Sequence, residues 1–181
     1  ADGSRLHLTT RLVGECNISN ILGAVVIART LGVPDEKIRR AVEKIEQVEH
    51  RLSIKRIPGG LTIIDDAFNS NPVGSAMALD VLGAMTGGKR VLVTPGMIEL
   101  GQQQYELNFR FGELAAAACD LAVVVGRYNR EAISEGLRKG GMPEEDIRTV
   151  DTFADAQAVL AAETRGGDIV LYENDLPDTF K

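Results

Sequence analysis

The fold is decided by one stretch of sequence, Leu61-Thr62-Ile63-Ile64-Asp65-Asp66-Ala67-Phe68-Asn69-Ser70-Asn71-Pro72. Its apolar beginning, residues 61–64, predicts a buried strand that ends at two carboxylates. The Asn, Ser and Pro residues that follow predict a loop leading into a helix near Pro72. Ligands of an open α/β sheet bind beyond the carboxyl ends of its strands, so the same stretch is a candidate site.

The polar residues of this stretch allow two interpretations. Asp65, Asp66 and Asn71 can simply end the strand and cap the helix. Their carboxylate and carboxamide groups can instead bind a sugar hydroxyl, a water molecule or a metal ion. The stretch alone favours neither.

Strands and helices alternate after this stretch. Apolar runs predict strands near residues 52–57, 61–65, 91–94, 121–125, 148–150 and 169–172, and helices near 72–85, 105–118, 129–139 and 154–163. Strands that are nearly all apolar are typical of a mostly parallel sheet covered on both faces. The sequence therefore predicts a Rossmann-like α/β domain with helices on both faces of its sheet.

The first part of the chain follows a different pattern. Apolar residues between 6 and 13 predict a short strand, and helices are expected at about 17–31 and 34–48. Such a block is too small to form a convincing domain. Residues 1–4 are polar and suggest the cut edge of something larger, with a boundary expected at residues 46–50.

Composition limits the classes of function. The net charge of the 181 residues is −6 and no long basic run occurs, which argues against a nucleic-acid partner. No stretch approaches the roughly 20 apolar residues that span a bilayer. Cys16 and Cys119 fit no metal-ligand spacing and are typical of reduced thiols in a cytosolic protein.

Residues 83–90 nearly match a phosphate-binding loop, but Arg90 replaces the Ser or Thr that binds magnesium. The predicted order, a helix before the loop and a strand after it, is also reversed. We therefore predict an ordinary turn between a helix and a strand.

Asn17 and Asn20 lie three residues apart at a helix start and hence on one face. Paired carboxamides can recognise an adenine edge, although the spacing alone favours a helix cap at Asn17 and a solvent-facing Asn20. Arg51 offers a planar fork for phosphate or carboxylate, or is an exposed residue at a strand start.

Further carboxylates follow other strands. Glu99 stands between the glycines of residues 95–101, and Glu173 ends the last strand. Glu99 can be a helix cap, but a rim that carries Asp66, Glu99 and Glu173 favours a site. No nucleophile is spaced with a base and an orienting group, so binding and positioning are predicted rather than a complete catalytic centre.

Segments 65–72 and 96–101 together resemble the Mur ligases, ATP-dependent enzymes that join amino acids to the peptidoglycan precursor. The resemblance implies that residues 1–48 are the tail of a central ATPase domain, a small helical remnant, and that residues 49–181 are the Mur ligase C-terminal domain. Segment 65–72 is most similar to the branch that adds D-alanyl-D-alanine to a UDP-muramyl tripeptide through an acyl phosphate.

The resemblance also implies roles for single residues. ATP would be bound by Asn17, Asn20, Arg51 and Asp66. The incoming dipeptide would be bound by Asn69, Asn71, Pro72 and Glu99. The phosphate-binding loop and the ligands of Mg²⁺ are expected in an upstream domain, so the chain is expected to be a fragment that is inactive alone.

The sequence departs from the family pattern at two places. Cys16 stands where the family usually has His, and residues 172–175 replace a Lys-Gly-Ser-type motif found in many members. Two alternatives stay open: a ligase of the folylpolyglutamate or cyanophycin type, and a non-catalytic nucleotide-binding module.

Overall fold

The structure is a computed structural model and describes residues 5–175. Within this range the helices are α1 (Glu15–Thr30), α2 (Asp35–Glu43), α3 (Pro72–Ala84), α4 (Gln104–Ala118), α5 (Arg130–Lys139) and α6 (Phe153–Glu163). The strands are β1 (Ser53–Arg56), β2 (Thr62–Asp66), β3 (Arg90–Thr94), β4 (Leu121–Val125), β5 (Ile147–Val150) and β6 (Ile169–Glu173).

The six strands form one sheet in the order β1-β2-β6-β3-β4-β5. All neighbours are parallel except β1, which pairs antiparallel with β2 at the edge. In the register, Asp66 of β2 lies beside Glu173 of β6, and Val93 of β3 lies beside Tyr172. The carboxyl ends of β2, β6 and β3 therefore meet at one place on the sheet edge.

Helices cover both faces of the sheet, as predicted. Side chains of α3, α4 and α5 pack with Ile64, Leu92 and Leu171 in the larger core, whereas Leu160 of α6 packs with Val170 on the opposite face. Val170 and Leu171 are neighbours that point to opposite faces because side chains alternate along a strand. The α/β fold predicted from the apolar runs is confirmed.

The loop after β2 leads directly into a well-capped helix. Asn71 Oδ1 accepts hydrogen bonds from the backbone N–H groups of Val73 (3.1 Å) and Gly74 (3.0 Å), and Pro72 occupies the first turn. Both residue types are favoured at these positions of a helix start. The sequence of the loop thus fixes where α3 begins.

The predicted strand at residues 6–13 is wrong, because these residues form neither a helix nor a strand. Leu6, Leu8 and Leu12 instead pack against α1 and α2 in a separate small core. Since these side chains are partly buried against helices, they need no strand partner. Helix α1 and the start of α2 lie close to the predicted positions, whereas α2 ends at Glu43 and not near residue 48.

Residues 85–89 connect α3 to β3, so the predicted turn in place of a phosphate-binding loop is confirmed. Across residues 5–175, no helix combines the length and the apolar character that crossing a membrane requires.

Candidate functional site

Asp66 ends β2 and holds the segment that precedes β1. Its Oδ1 accepts a hydrogen bond from the Leu52 N–H at 2.9 Å. Burial raises the pKa of the Asp66 carboxyl, while the Leu52 N–H and the nearby Arg51 charge oppose the rise. Asp66 is thus a half-buried carboxyl with one oxygen hydrogen-bonded to the backbone of residues 44–52, the linker between α2 and β1.

The linker between α2 and β1 is also held by Asp65, whose Oδ1 lies 3.0 Å from His50 Nδ1. His50 (φ 58°) and Leu52 (φ 55°) both adopt the left-handed backbone region, which L residues rarely adopt. Such strain persists only where the surroundings impose it. The paired carboxylates therefore fasten a strained linker to the end of the second strand.

Arg51 lies between these two strained residues. Its guanidinium carbon sits 4.2 Å from the centre of the Phe68 ring, a cation–π contact that orients the planar group. The side chain stays exposed at the strand end. Arg51 and Asp66, which were both predicted to face a nucleotide, are brought together here.

The start of α1 packs against the same linker. A Cβ added to Gly14 would lie 2.5 Å from Leu52 Cδ2, so the helix start touches the residue that Asp66 holds. Asn17 does not cap α1, because the N-cap is Gly14 and Asn17 Nδ2 donates back to the Val13 carbonyl at 2.7 Å. Asn20 is exposed one turn further along, as predicted.

A shallow groove of about 520 Å³ separates the starts of α1 and α3; it is lined by Glu15, Cys16, Ser19, Pro72, Val73, Ala76 and Met77. Among the residues predicted to bind substrate, Pro72 lines this groove and Asn71 caps α3. Asn69 is exposed on the loop before them. The capping interpretation of Asn71 is therefore confirmed, and its Oδ1 is occupied.

Glu173 lies at the expected strand end but not on an open rim, because its side chain is fully buried. Ser70 Oγ donates a hydrogen bond to Oε1, and Thr94 Oγ1 donates to Oε2 at 3.2 Å. Burial raises the pKa of the Glu173 carboxyl to about 7, and the Asp66 charge adds to the rise. The predicted rim of three carboxylates is therefore wrong for Glu173.

The loop after β3 is held by amide side chains that the sequence did not single out. The Met97 carbonyl accepts hydrogen bonds from Asn108 Nδ2 (3.1 Å), Asn129 Nδ2 (3.0 Å) and Gln104 Nε2. Asn108 Oδ1 in turn accepts from the Met97 N–H at 2.9 Å. This loop is fixed before any ligand arrives.

The same loop presents Glu99 to solvent, with a left-handed backbone (φ 62°). The short 3₁₀ turn that follows has Leu100 as its N-cap and no side-chain cap, so the capping interpretation of Glu99 is wrong. An exposed carboxylate on a rigid loop can attract a cationic group without reorganising first.

Nothing in the described range points to a resident metal ion or a disulfide. No three His, Cys, Asp or Glu side chains of residues 5–175 come together as metal ligands, so no step is assigned to Mg²⁺ here. Cys16 and Cys119 are free thiols. The arrangement can bind and position ligands at the ends of the strands.

The chain matches one family model, described as Mur ligase, glutamate ligase domain, over residues 50–172. It is 30% identical to the UDP-N-acetylmuramoyl-tripeptide–D-alanyl-D-alanine ligase of Treponema pallidum over 88% of this chain and 34% of that protein. It is 28% identical to the UDP-N-acetylmuramate–L-alanine ligase of Streptomyces avermitilis over 94% of this chain and 38% of that protein. The chain thus spans about a third of the length of these curated relatives.

Solved structures show the same fold. The UDP-N-acetylmuramoylalanyl-D-glutamyl-2,6-diaminopimelate–D-alanyl-D-alanyl ligase of Acinetobacter baumannii superposes with a TM-score of 0.76 at 25% identity, over 96% of this chain and 36% of that one. The MurF ligase of Thermotoga maritima in complex with ADP gives 0.76 at 22% identity, over 90% of this chain and 35% of that one. With most of its length matched by the family model, the chain belongs to the Mur ligase family, and residues 50–172 match the family's C-terminal domain.

Proposed function

We propose that this chain is part of an ATP-dependent ligase that adds D-alanyl-D-alanine to a UDP-muramyl tripeptide in peptidoglycan synthesis. In this reaction ATP phosphorylates the muramyl-peptide carboxylate, and the amine of the dipeptide attacks the acyl phosphate. The observation that carries the proposal is segment 65–72, which forms the loop at the strand ends in a chain 30% identical to a ligase of that name.

We also propose that residues 1–48 are the tail of a central ATPase domain and residues 49–181 the C-terminal domain. Ile18, Leu22 and Val26 of α1 are 53%, 55% and 64% exposed, although the opposite side of the helix is already buried. A helix that carries apolar residues on two opposite sides is normally covered on both of them. Its exposed face supports the idea that α1 belongs to a larger unit.

The nucleotide would lie against the linker. Arg51 is oriented by Phe68 and can donate two parallel hydrogen bonds to a phosphate. Asp66 has Oδ2 left for a ribose hydroxyl, since Oδ1 accepts from Leu52. Asn17 and Asn20 lie in the first turns of α1, whose start packs on Leu52, and their carboxamides offer the donors and acceptors that recognise an adenine edge. Mg²⁺ would be held outside the described residues.

The incoming dipeptide would lie between the loops after β2 and β3. Glu99 can attract its ammonium group, and Asn69 can donate to or accept from its amide. Asn71 and Pro72 would shape the site through the fixed start of α3. Because these groups bind and orient rather than react, their contribution would be the positioning of the amine.

The substrate assignment can be tested with the complete protein that contains this chain. We expect ATP turnover that requires both a UDP-muramyl tripeptide and D-alanyl-D-alanine, measured as phosphate release. The competing assignment is L-alanine addition to UDP-N-acetylmuramate, because a relative with that activity in its name matches 94% of the chain. Turnover with L-alanine and none with the dipeptide would replace the first assignment by the second.

The nucleotide assignment predicts a specific kinetic defect. Arg51→Ala or Asp66→Asn in the complete protein should raise the KM for ATP roughly 10- to 100-fold, since a hydrogen bond to a charged group contributes about 1.5–3 kcal/mol. Arg56→Ala is the control, because Arg56 is exposed at the opposite end of β1. An unchanged KM for ATP in both variants would disprove the nucleotide role.

A further inference from the structure

A hydrogen-bonded network crosses the carboxyl ends of three neighbouring strands. Glu173 of β6 receives one hydrogen bond from Ser70, in the loop after β2, and one from Thr94 at the end of β3. Thr94 Oγ1 also accepts from the Gly96 N–H at 2.9 Å. One carboxyl group therefore connects the two loops that would face the incoming dipeptide.

The residue after Glu173 closes the same network. The Asn174 N–H donates to the Asp66 carbonyl at 3.2 Å, and Asn174 Nδ2 donates to the Gly96 carbonyl at 2.6 Å. Asn174 adopts the left-handed backbone region (φ 65°), which aims its side chain under the loop after β3. Both loops are thus fastened to the end of β6 by side chains of two consecutive residues.

Burial decides what Glu173 can do. Glu173 and Thr94 are 0% exposed and Asn174 is 6% exposed, so none of the three can meet a ligand at the surface. Ser70 is half-buried and lies between Asn69 and Asn71, which are both exposed. The network is therefore solvent-excluded at Glu173 and reaches the surface through Ser70.

We propose that Glu173 is a positioning residue for the incoming amine. Glu173 accepts a hydrogen bond from Ser70 and thereby fixes residues 67–71 against the end of β3. Asn71 is already fixed by its cap on α3, so the Ser70 hydroxyl supplies a second anchor one residue earlier. With both anchors in place, Asn69 has little freedom to move away from the strand ends. This role rests on the proposed ligase function.

Whether the Ser70–Glu173 hydrogen bond fixes the loop after β2 can be tested in the 181-residue chain by hydrogen exchange, without an activity assay. Ser70→Ala should raise backbone amide hydrogen exchange about tenfold at Ala67, Val73 and Gly74, whose N–H groups are hydrogen-bonded to side chains of Asp65 and Asn71, the effect of losing roughly one hydrogen bond. Thr164→Ala is the matched control, because Thr164 follows α6 directly and its hydroxyl donates to the Leu160 carbonyl of that helix. Unchanged exchange at Ala67, Val73 and Gly74 would overturn the proposal.

The positioning of the amine is tested in the complete protein by separating KM from kcat. Ser70→Ala should raise the KM for D-alanyl-D-alanine about tenfold and leave kcat and the KM for ATP within about twofold. Ser70→Thr restores a hydroxyl and should restore the KM. Glu173→Leu should show the same KM defect as Ser70→Ala, whereas Glu173→Gln, which keeps an acceptor, should show a smaller one.

The outcomes separate the two proposals. A wild-type protein that does not use D-alanyl-D-alanine would overturn the proposed function, and the amine-positioning role with it. A wild-type protein that does use the dipeptide, combined with an unchanged KM in Ser70→Ala, would overturn the positioning role alone. A KM defect that Ser70→Thr does not repair would also contradict it, because the defect would then come from the altered shape of the loop.

Discussion

Glu173 is expected to lower the free energy of unfolding of the wild-type chain by about 3 kcal/mol as the pH rises from acidic to alkaline values, and replacing Glu173 with Gln should remove this fall. Burial raises the pKa of Glu173 from 4.5 to about 7 in the folded protein. Between these two values the folded chain keeps a proton that the unfolded chain releases. The contribution of the neutral carboxyl is thus complete below the unfolded pKa and is lost as the pH rises through about 7.

Urea unfolding of the wild-type chain and of Glu173→Gln at pH values from about 4.5 to about 8 measures this effect. Gln mimics the protonated acid, so the two proteins should have similar stability at the acidic end, and the variant should be more stable at the alkaline end. Asp80→Asn, which removes an exposed carboxyl from α3, should show no comparable divergence. A difference between wild type and Glu173→Gln that does not change with pH would contradict the raised pKa.

The order of helices and strands after residue 50 could be predicted because each buried strand is a short apolar run between turn residues. Residues 121–125, for example, are all apolar, and the strand β4 occupies the same five positions. Residues 6–13 carry leucines at alternating positions but form no strand. Alternating apolar residues predict a segment with one buried face, and here α1 and α2 cover that face. The local sequence cannot tell whether such a face is covered by helices or by a neighbouring strand.

The position of the site could be predicted, whereas the roles of its carboxylates could not. Asp66 and Glu173 were both expected at strand ends, and the register places them side by side. Glu173 is the fully buried one, and its hydrogen-bond partners Ser70 and Thr94 lie 103 and 79 residues earlier in the chain. Pairwise burial of this kind is a tertiary property and leaves no periodic pattern in the sequence.

Asn108 carries a sequence signal for the fixed loop after β3. It shares a helix face with Phe111 and Ala115, at spacings of three and four residues, and all three are buried. A carboxamide on the apolar face of a helix must find hydrogen-bond partners, and Asn108 finds them on Met97. A polar residue on the apolar face of a helix therefore predicts that this residue holds a neighbouring segment by hydrogen bonds, but it does not predict which segment.

The fixed loop after β3 leads to the second large effect, which is expected for Gly96→Ala. Gly96 has a left-handed backbone (φ 79°), and an added Cβ would lie 2.5 Å from Asn108 Oδ1 and 2.7 Å from Ile133 Cδ1. The backbone conformation costs an L residue about 1 kcal/mol, and overpacking costs roughly 1–3 kcal/mol more. We expect a total loss of about 3 kcal/mol, measured by urea unfolding.

Gly101→Ala is the matched control at the other end of the same loop. Gly101 is also left-handed (φ 56°), but an added Cβ would meet no atom within 4 Å. Only the backbone cost applies there, so the loss should be about 1 kcal/mol. Equal losses in the two variants would show that the Asn108 side chain moves aside readily, and the loop after β3 would then not be fixed before a ligand binds. A larger loss at Gly96 would instead locate the rigidity of the loop in its contact with α4 and α5, the helices that carry Asn108 and Ile133.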